Sequence, residues 1–501
     1  MISFKPLKDP FKILLLVMII IIAAQSTILL KNPPIWPDEA IYADIANNWL
    51  NEQRLGPDIW QETFNGATQH FYWYPPFFFV LIASYFKLFG LSIVSQRLLS
   101  QTASIIFLAV FFLLAKSLFK NQKMPIMAII PIIGLALDPF FSRAARLGRP
   151  EMVVMLLGSL SFLAYIKSTN SKNTLRIRHF LLIISGILSS VAFLTHLLGG
   201  TFFAAAILTN LLFKEKMKFF KSQKFYLFGL SFLVAPSVWA LSILPNFAVF
   251  KEQFFLARKA ADEYSPFILQ LAFGDTFYQT LFLSYVLISA AFFLVIIVKR
   301  AQNLVPFAII LSLSWVTIIY GKGTWYFVYV VPWVYLAATY LIGRFFEELQ
   351  KKSSKSLIFQ ASAATFLITF LAGIFFNIKL IIDLWPNKYS YGLFMKKILT
   401  LVPESKTVFL SSIPDPYFGF KSQGRKNTLY EFPVVQIEKE KFLNLLNNSD
   451  YIVFNGVYNS MTELLPAYIN KNTQNTISIG SENQYKALII ELKPRNQREA
   501  P

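Results

Sequence analysis

The sequence predicts an all-α polytopic membrane protein of about eleven spans, followed by a small α/β domain on the outer face of the membrane. Three observations predict it. The 501 residues are 55% hydrophobic and 15% charged, with a mean hydropathy of +0.51, whereas a soluble domain carries about 25% charged residues. Apolar runs of membrane-crossing length recur from residue 13 to residue 377, separated by short basic loops. Beyond residue 380 the pattern changes to short apolar runs among Asn, Lys and Ser.

Composition also excludes several functions. The net charge of +20 sits in loops between apolar runs, where it orients the chain and attracts anionic lipid, so nucleic acid is not an expected partner. There is no cysteine, hence no disulfide and no thiol chemistry. The three histidines contain no close-spaced pair, and no metal site or other cofactor is expected.

Taken in order, Lys5, Lys8 and Lys12 precede the apolar run from Ile13 to Ala24, which reads as an uncleaved first helix with a cytoplasmic N-terminus. The first outer loop, residues 31–96, carries Trp36, Trp49, Trp60, Trp73, Tyr42, Tyr72 and Tyr74 among acids and amides, as surface-lying helices do. Within it, the run from Pro75 to Leu91 would reach roughly 25 Å, short of a hydrocarbon core of about 30 Å. If this run crossed, the basic clusters at 116–123, 167–178, 214–224 and 344–355 would all fall outside. Taken as interfacial, it leaves them all in the cytoplasm. Further spans follow at 97–119, 124–141, 150–167, 180–198, 199–213, 224–245, 279–298, 304–320, 326–345 and 357–377. Residues 1–380 thus form the membrane domain and 381–501 the outer domain. In the latter, Val408–Leu410, Tyr451–Phe454 and Ala487–Ile490 read as strands, and Glu438–Leu446 as an amphipathic helix.

The polar residues that gather on the outer side are Asp38, Glu39, His70, Arg97, Arg143, Arg146, Arg149, Glu151, Lys251, Arg258, Lys259, Lys322 and Tyr326. Arginines on that side run against the orientation rule, and an anionic ligand is the simplest reason for them. Each residue also has a plain structural reading. Pro37-Asp38-Glu39 suits a helix start, Arg97 can snorkel, and Glu151 after Pro150 complements a helix dipole. Carboxylate and cations together at a membrane surface suit glycosyl transfer from a polyprenyl-phosphate sugar. A carboxylate takes the proton of the attacking acceptor hydroxyl, and cations stabilise the departing phosphate. Direct attack opposite the phosphate inverts the anomeric centre.

The ordered set Pro37-Asp38-Glu39, Tyr42-Ala43-Asp44-Ile45, Tyr74-Pro75-Pro76, Phe89-Gly90, Arg97-Leu98, Arg146, Arg149-Pro150-Glu151 and Lys322-Gly323-Thr324-Trp325-Tyr326 resembles the motifs of the GT-C membrane glycosyltransferases of family 39. That family includes protein O-mannosyltransferases and lipid A aminoarabinose transferases. The resemblance covers roughly residues 30–345 and implies Asp38 as catalytic base, with Glu39 helping to hold the acceptor. It further implies that Arg97, Arg146, Arg149, Glu151 and Lys322 line the donor side; Tyr326 and Arg258 are placed with them, and His70 and Tyr74 on the acceptor side. Protein O-mannosyltransferases typically show His-Pro-Pro, and aminoarabinose transferases Lys-Pro, where this chain has Tyr74-Pro75-Pro76. The 246–278 loop also lacks the histidine of the latter, which implies no metal requirement. A lipid or glycan acceptor is expected first and a protein acceptor second, in the inner membrane of a prokaryote. Two readings of other classes are a lipid-linked-glycan transporter and a scaffold for the outer domain. The first would need polar residues along a path through the bilayer, and the second would need neither Asp38 nor the arginines.

Overall fold

The computed structural model describes residues 33–61, 63–119, 125–263, 276–321, 324–350, 390–433, 437–456, 463–480 and 484–499, with single positions elsewhere. The expected first helix, two thirds of the 357–377 span, and Lys322 lie outside the described residues.

The loop expected as the first outer one holds α1 (Pro37–Glu52) and α2 (Phe77–Phe89), which pack on each other. At 13 residues α2 is about 20 Å long, too short to cross. Gly90, at φ +80°, ends it, as a residue without a Cβ can. Ser92 then caps α3 (Ile93–Leu118), its hydroxyl accepting the Ser95 N–H at 3.1 Å.

The 124–141 span expected as one helix is broken. A 3₁₀ turn over Pro125–Ala128 leads into α4 (Ile130–Ala136), and α5 (Pro139–Ala145) starts afresh. The cause is Asp138-Pro139: proline supplies no N–H to continue the ladder, and the Asp138 carboxylate caps the new helix through the Phe140 and Phe141 N–H groups at 2.9 and 3.1 Å.

The bundle continues with α6 (Glu151–Ser168), α7 (Leu175–Thr195), α8 (Leu197–Glu215), α9 (Gln223–Ile243), α10 (Phe247–Glu263), α11 (Thr276–Lys299), α12 (Val305–Gly321) and α13 (Val331–Gln350). Among the described residues, seven helical stretches are long and apolar enough to cross a membrane: Ile93–Leu118, Glu151–Ser168, Leu175–Thr195, Leu197–Lys221, Gln223–Lys259, Gln279–Lys299 and Gln302–Ile319. Trp333 of α13 sits at the centre of the bundle, edge-on to Phe111 of α3, Phe162 of α6 and Phe203 of α8 at 5.8, 5.7 and 6.1 Å. Ser161 of α6 hydrogen-bonds the Ser185 carbonyl and the Ser189 hydroxyl of α7, both at 2.7 Å, as small polar residues do between membrane helices.

The α7–α8 hairpin turns at His196, whose ring caps α8. A Cβ on Gly200 would lie 2.2 Å from the Phe193 Cα, a backbone atom that cannot swing aside. Gly200→Val is therefore expected to cost about 1–3 kcal/mol by overpacking, read as a lower unfolding temperature of the purified protein in detergent.

The C-terminal domain has α14 (Tyr391–Leu401), β1 (Thr407–Ser411), α15 (Tyr417–Ser422), β2 (Thr428–Glu431), α16 (Lys439–Asn448), β3 (Tyr451–Phe454), α17 (Leu464–Asn472), β4 (Thr473–Ile479) and β5 (Ala487–Leu492). The sheet order is β2-β1-β3-β5-β4, with β1 parallel to β2 and β3, and β5 antiparallel to β3 and β4. β1, β3 and β5 fall on the three runs expected as strands. β2 and β4 were not expected: β4 is a mostly exposed, polar edge strand without apolar alternation, and β2 is four residues long. Phe442 of α16 packs edge-on against Phe409 and Phe432, at 5.8 and 5.7 Å.

This domain rests on the first outer loop. The Asp415 N–H donates to the Ile35 carbonyl at 3.0 Å, the Glu431 N–H to the Ile59 carbonyl at 2.9 Å, and the Tyr417 hydroxyl to Asp44 at 2.9 Å. Trp73 packs against apolar residues of both domains.

Candidate active site

Pro37 opens α1 at its first position, and Glu39 completes a capping box by accepting the Trp36 N–H at 3.1 Å. Asp38 and Glu39 therefore both stand in the first turn, about 100° apart around the helix axis. Glu39 turns into the protein and Asp38 toward its edge. The Glu39 carboxylate is fully buried against Arg97, with Nε to Oε1 at 2.8 Å and Nη2 to Oε2 at 2.7 Å, a bidentate pair. The Gly148 N–H adds a third donor to the carboxylate, on Oε1 at 2.7 Å, and Arg97 spends its remaining donors on the carbonyls of Leu29, Pro33 and Pro34, at 2.6, 2.9 and 3.4 Å. Glu39 and Arg97 thus lock the start of α1 to α3 and to the Arg146–Glu151 corner. Gly148 is required there, because a Cβ would lie 2.6 Å from the Gln96 Cγ and 3.0 Å from the Glu39 Oε1.

Asp38 keeps 21% of its side chain exposed and pairs with Arg149 through Nη1. Arg149 is itself buried, holds Glu151 at 3.1 Å, and lies with its guanidinium 5.2 Å from the centre of the Trp325 ring. The Asp38 carboxyl titrates above the ordinary value of 3.8, chiefly because its recessed position strips it of water. Arg149 pulls the other way, while Glu151 and Glu39 push it further up.

An aromatic wall adjoins this pair. Tyr42, one turn beyond Asp38, meets Tyr74 edge-on at 5.3 Å; Tyr74 faces His196 at 5.7 Å, and His196 faces Tyr326 at 5.7 Å. His196 Nδ1 accepts the Gly199 N–H at 3.2 Å, which assigns the ring a neutral tautomer protonated on Nε2. Charged, polar and aromatic groups from five separate segments therefore converge at one end of the bundle. By the alternation of the chain, the ends of α3, α6, α8 and α13 that carry Lys116, Lys167, Lys214 and Arg344 lie at the other.

Residues 74–241 match the family model described as dolichyl-phosphate-mannose-protein mannosyltransferase. ArnT from Cupriavidus metallidurans, solved bound to undecaprenyl phosphate, is similar with a TM-score of 0.62 and 13% identity, covering 97% of this chain and 99% of that one. Its apo state gives a TM-score of 0.62 and 13% identity over 98% and 99%. The chain has the fold of the GT-C glycosyltransferase superfamily. The archaeal oligosaccharyltransferase AglB from Archaeoglobus fulgidus, in complex with an inhibitory peptide and a dolichol-phosphate, shares it at a TM-score of 0.54 and 11% identity, over 95% of this chain and 74% of that one. No curated protein matches the chain in sequence.

On this GT-C core the structure brings Asp38, Arg149, Glu151, Tyr74 and Tyr326 together, and sets Glu39, Arg97 and the buried Arg146 just behind them. His70 stands apart, its ring stacked on Tyr72 at 5.5 Å, and its segment is held to α10 by Gln253. Arg258 is exposed on α10. Among the described residues, no group of three His, Asp or Glu side chains is placed to hold a metal ion.

Sequence reasoning missed four residues here. Gln96 bridges the carbonyls of Glu39 and Gly148 at 3.1 and 2.9 Å. His196 joins the aromatic wall, and Trp325 lies against Arg149. Deep in the bundle, Asp138 accepts hydrogen bonds from the Tyr285 and Tyr335 hydroxyls. Two signals were available: Trp325 stands in the Lys322–Tyr326 motif, and His196 lies beside the turn between the spans expected at 180–198 and 199–213.

Proposed function

We propose that this protein is an inverting glycosyltransferase that moves a sugar from a polyprenyl-phosphate donor to a lipid or glycan acceptor at the outer membrane face. The observation that carries this reading is the Asp38–Arg149–Glu151 group. It offers one partly exposed carboxylate of raised basicity beside a buried cation that a second carboxylate steadies. Asp38 takes the proton of the acceptor hydroxyl as that oxygen attacks the anomeric carbon. Arg149 then faces the donor phosphate, whose charge grows as the glycosidic bond breaks, and Lys322 and Tyr326 belong on the same side. Tyr74, His196 and Tyr326 supply flat faces for a sugar. Glu39 and Arg97 act through α1, holding Asp38 in place. The basic loop ends opposite the site support a cytoplasmic position for that end of the bundle and an outer position for the site.

A protein acceptor is the second reading, favoured by the description of the matched family model. The test incubates purified protein in lipid with labelled polyprenyl-phosphate sugars and a native membrane extract. Labelled product is expected, and its identity separates lipid, glycan and protein acceptors. Absence of product from every donor, with donor lipid still bound, would refute the reading.

The raised Asp38 pKa makes a further prediction. Below that pKa the carboxyl already carries a proton and cannot accept another, so kcat/KM falls on the acid side. The midpoint of this fall is expected above 3.8, the ordinary aspartate value, and a pH–rate profile measures it.

A further inference from the structure

Two carboxyl groups of the C-terminal domain face each other at its junction with the first outer loop. Glu431 is the last residue of β2, and Asp415 follows β1 by four residues, so both lie at the carboxyl ends of parallel strands. Both are fully buried. Asp415 Oδ1 accepts the Tyr417 N–H at 2.7 Å. Among the described residues, no side-chain N–H or O–H donor serves Asp415 Oδ2 or either Glu431 oxygen; the Phe432 N–H lies against the Glu431 carboxyl, and the two carboxyls meet one another. Two carboxylates in contact repel, and only a proton on one of them turns the contact into a hydrogen bond. The same two residues supply the backbone N–H groups that hold the domain to Ile35 and Ile59, on either side of α1.

We propose that Asp415 and Glu431 share one proton and serve as positioning residues, fixing the C-terminal domain on the first outer loop so that α1 presents Asp38 to substrate. The docking claim stands by itself; its consequence for transfer rests on the assignment of Asp38 above.

The surroundings set the direction of the pH dependence. Glu39 acts on Asp415, and Asp38 on Glu431, both as like charges. Asp44 lies on the same junction, with Tyr417, Lys421 and Asp58 around it, and the Tyr391 hydroxyl donates to the Asp415 carbonyl at 2.9 Å. Burial is the largest cause and raises both groups; the Asp415 charge raises Glu431 further, while the hydrogen bond from Glu431 holds Asp415 lower, so the shared proton stays on Glu431 and leaves above the ordinary carboxyl range. A group whose pKa is raised on docking favours the docked state at low pH, and that contribution is lost as pH rises through the raised value. Asp44 titrates in the same direction, so the pair must be isolated by substitution.

The experiment is hydrogen–deuterium exchange of the full-length protein in lipid, followed on peptides spanning residues 412–418 and 429–433 between about pH 5 and pH 9 and corrected for intrinsic rates. In the wild type, protection is expected to fall with rising pH by up to about tenfold per pH unit across the pair's titration, the limit for one linked proton. Glu431→Gln keeps a hydrogen bond without the shared proton and should flatten that fall, leaving the Asp44 background. Asp415→Asn serves in its place if the first variant does not assemble. Superimposable wild-type and variant profiles would overturn the proton-sharing pair. In parallel, Glu431→Gln should extend the alkaline limb of kcat to higher pH and leave the acid limb of Asp38 in place. A flattened exchange profile with an unmoved alkaline limb would refute positioning of Asp38 while leaving the pair itself standing. An Asp38→Asn enzyme as active as wild type would instead remove the function proposed above and leave the exchange result untouched.

Discussion

Asp38→Asn is expected to lower kcat for sugar transfer by 10²- to 10⁴-fold, the range that a positioned general base contributes. Asparagine keeps the shape and one oxygen for Arg149 but cannot take the acceptor proton. Folding should be spared, because the side chain is partly exposed and Arg149 retains Glu151. On the proposed reading the cation and the aromatic wall grip the donor, so its KM should stay close to that of the wild type. The measurement is transfer from a labelled polyprenyl-phosphate sugar, with both proteins first matched for thermal unfolding in the same lipid. A loss of less than about threefold would dismiss Asp38 as the base, since even a modest base contributes far more. A transporter would show the contrasting pattern, with little effect on flux unless Asp38 lines its path.

Arg97→Met should do the opposite, costing stability first. Methionine fills much of the space, but Glu39 is left as a buried charge without a cation, and the carbonyls of Leu29 and Pro33 lose their donor. Breaking a buried pair from one side typically costs about 3–5 kcal/mol, so a large fall in unfolding temperature and in folded yield is expected. Lysine should not rescue it, because an ammonium cannot reproduce the fork that spans both Glu39 oxygens. The double variant Arg97→Met, Glu39→Leu should recover part of the lost stability, since it removes both charges together. If Arg97→Met left the unfolding temperature unchanged while abolishing transfer, Arg97 would belong with the substrate-facing groups rather than behind them.

The contrast between Asp38 and Glu39 shows where sequence ends as a guide. As neighbours in one motif they are alike in the sequence, and family resemblance makes both candidates for chemistry. The helix turn separates them by about 100°, and that angle alone puts one carboxylate beside a partly open site and the other in a saturated buried pair. Arg97 and Arg149 divide in the same way. Both defy the orientation rule, and both were assigned to the donor, but only Arg149 holds a carboxylate that remains partly exposed. Gln96 was illegible because its role depends on which helix ends meet, and no local pattern records that.

What the sequence determined by itself is set by the solvent. Lipid demands long apolar helices, water tolerates charge, and the loops carry their basic residues at one end, so the bundle and the gathering of polar groups at its other end could be read from hydropathy and charge. Strand periodicity likewise marked β1, β3 and β5, which are buried, whereas edge strand β4 escaped because it is polar and exposed. The tertiary structure alone decided the pairing of Arg97 with Glu39 and of Arg149 with Asp38, and the seating of Asp415 and Glu431 against the loop of Asp38. Each of these is a contact between residues far apart in the chain, and its energy depends on distance and burial, which no stretch of sequence contains.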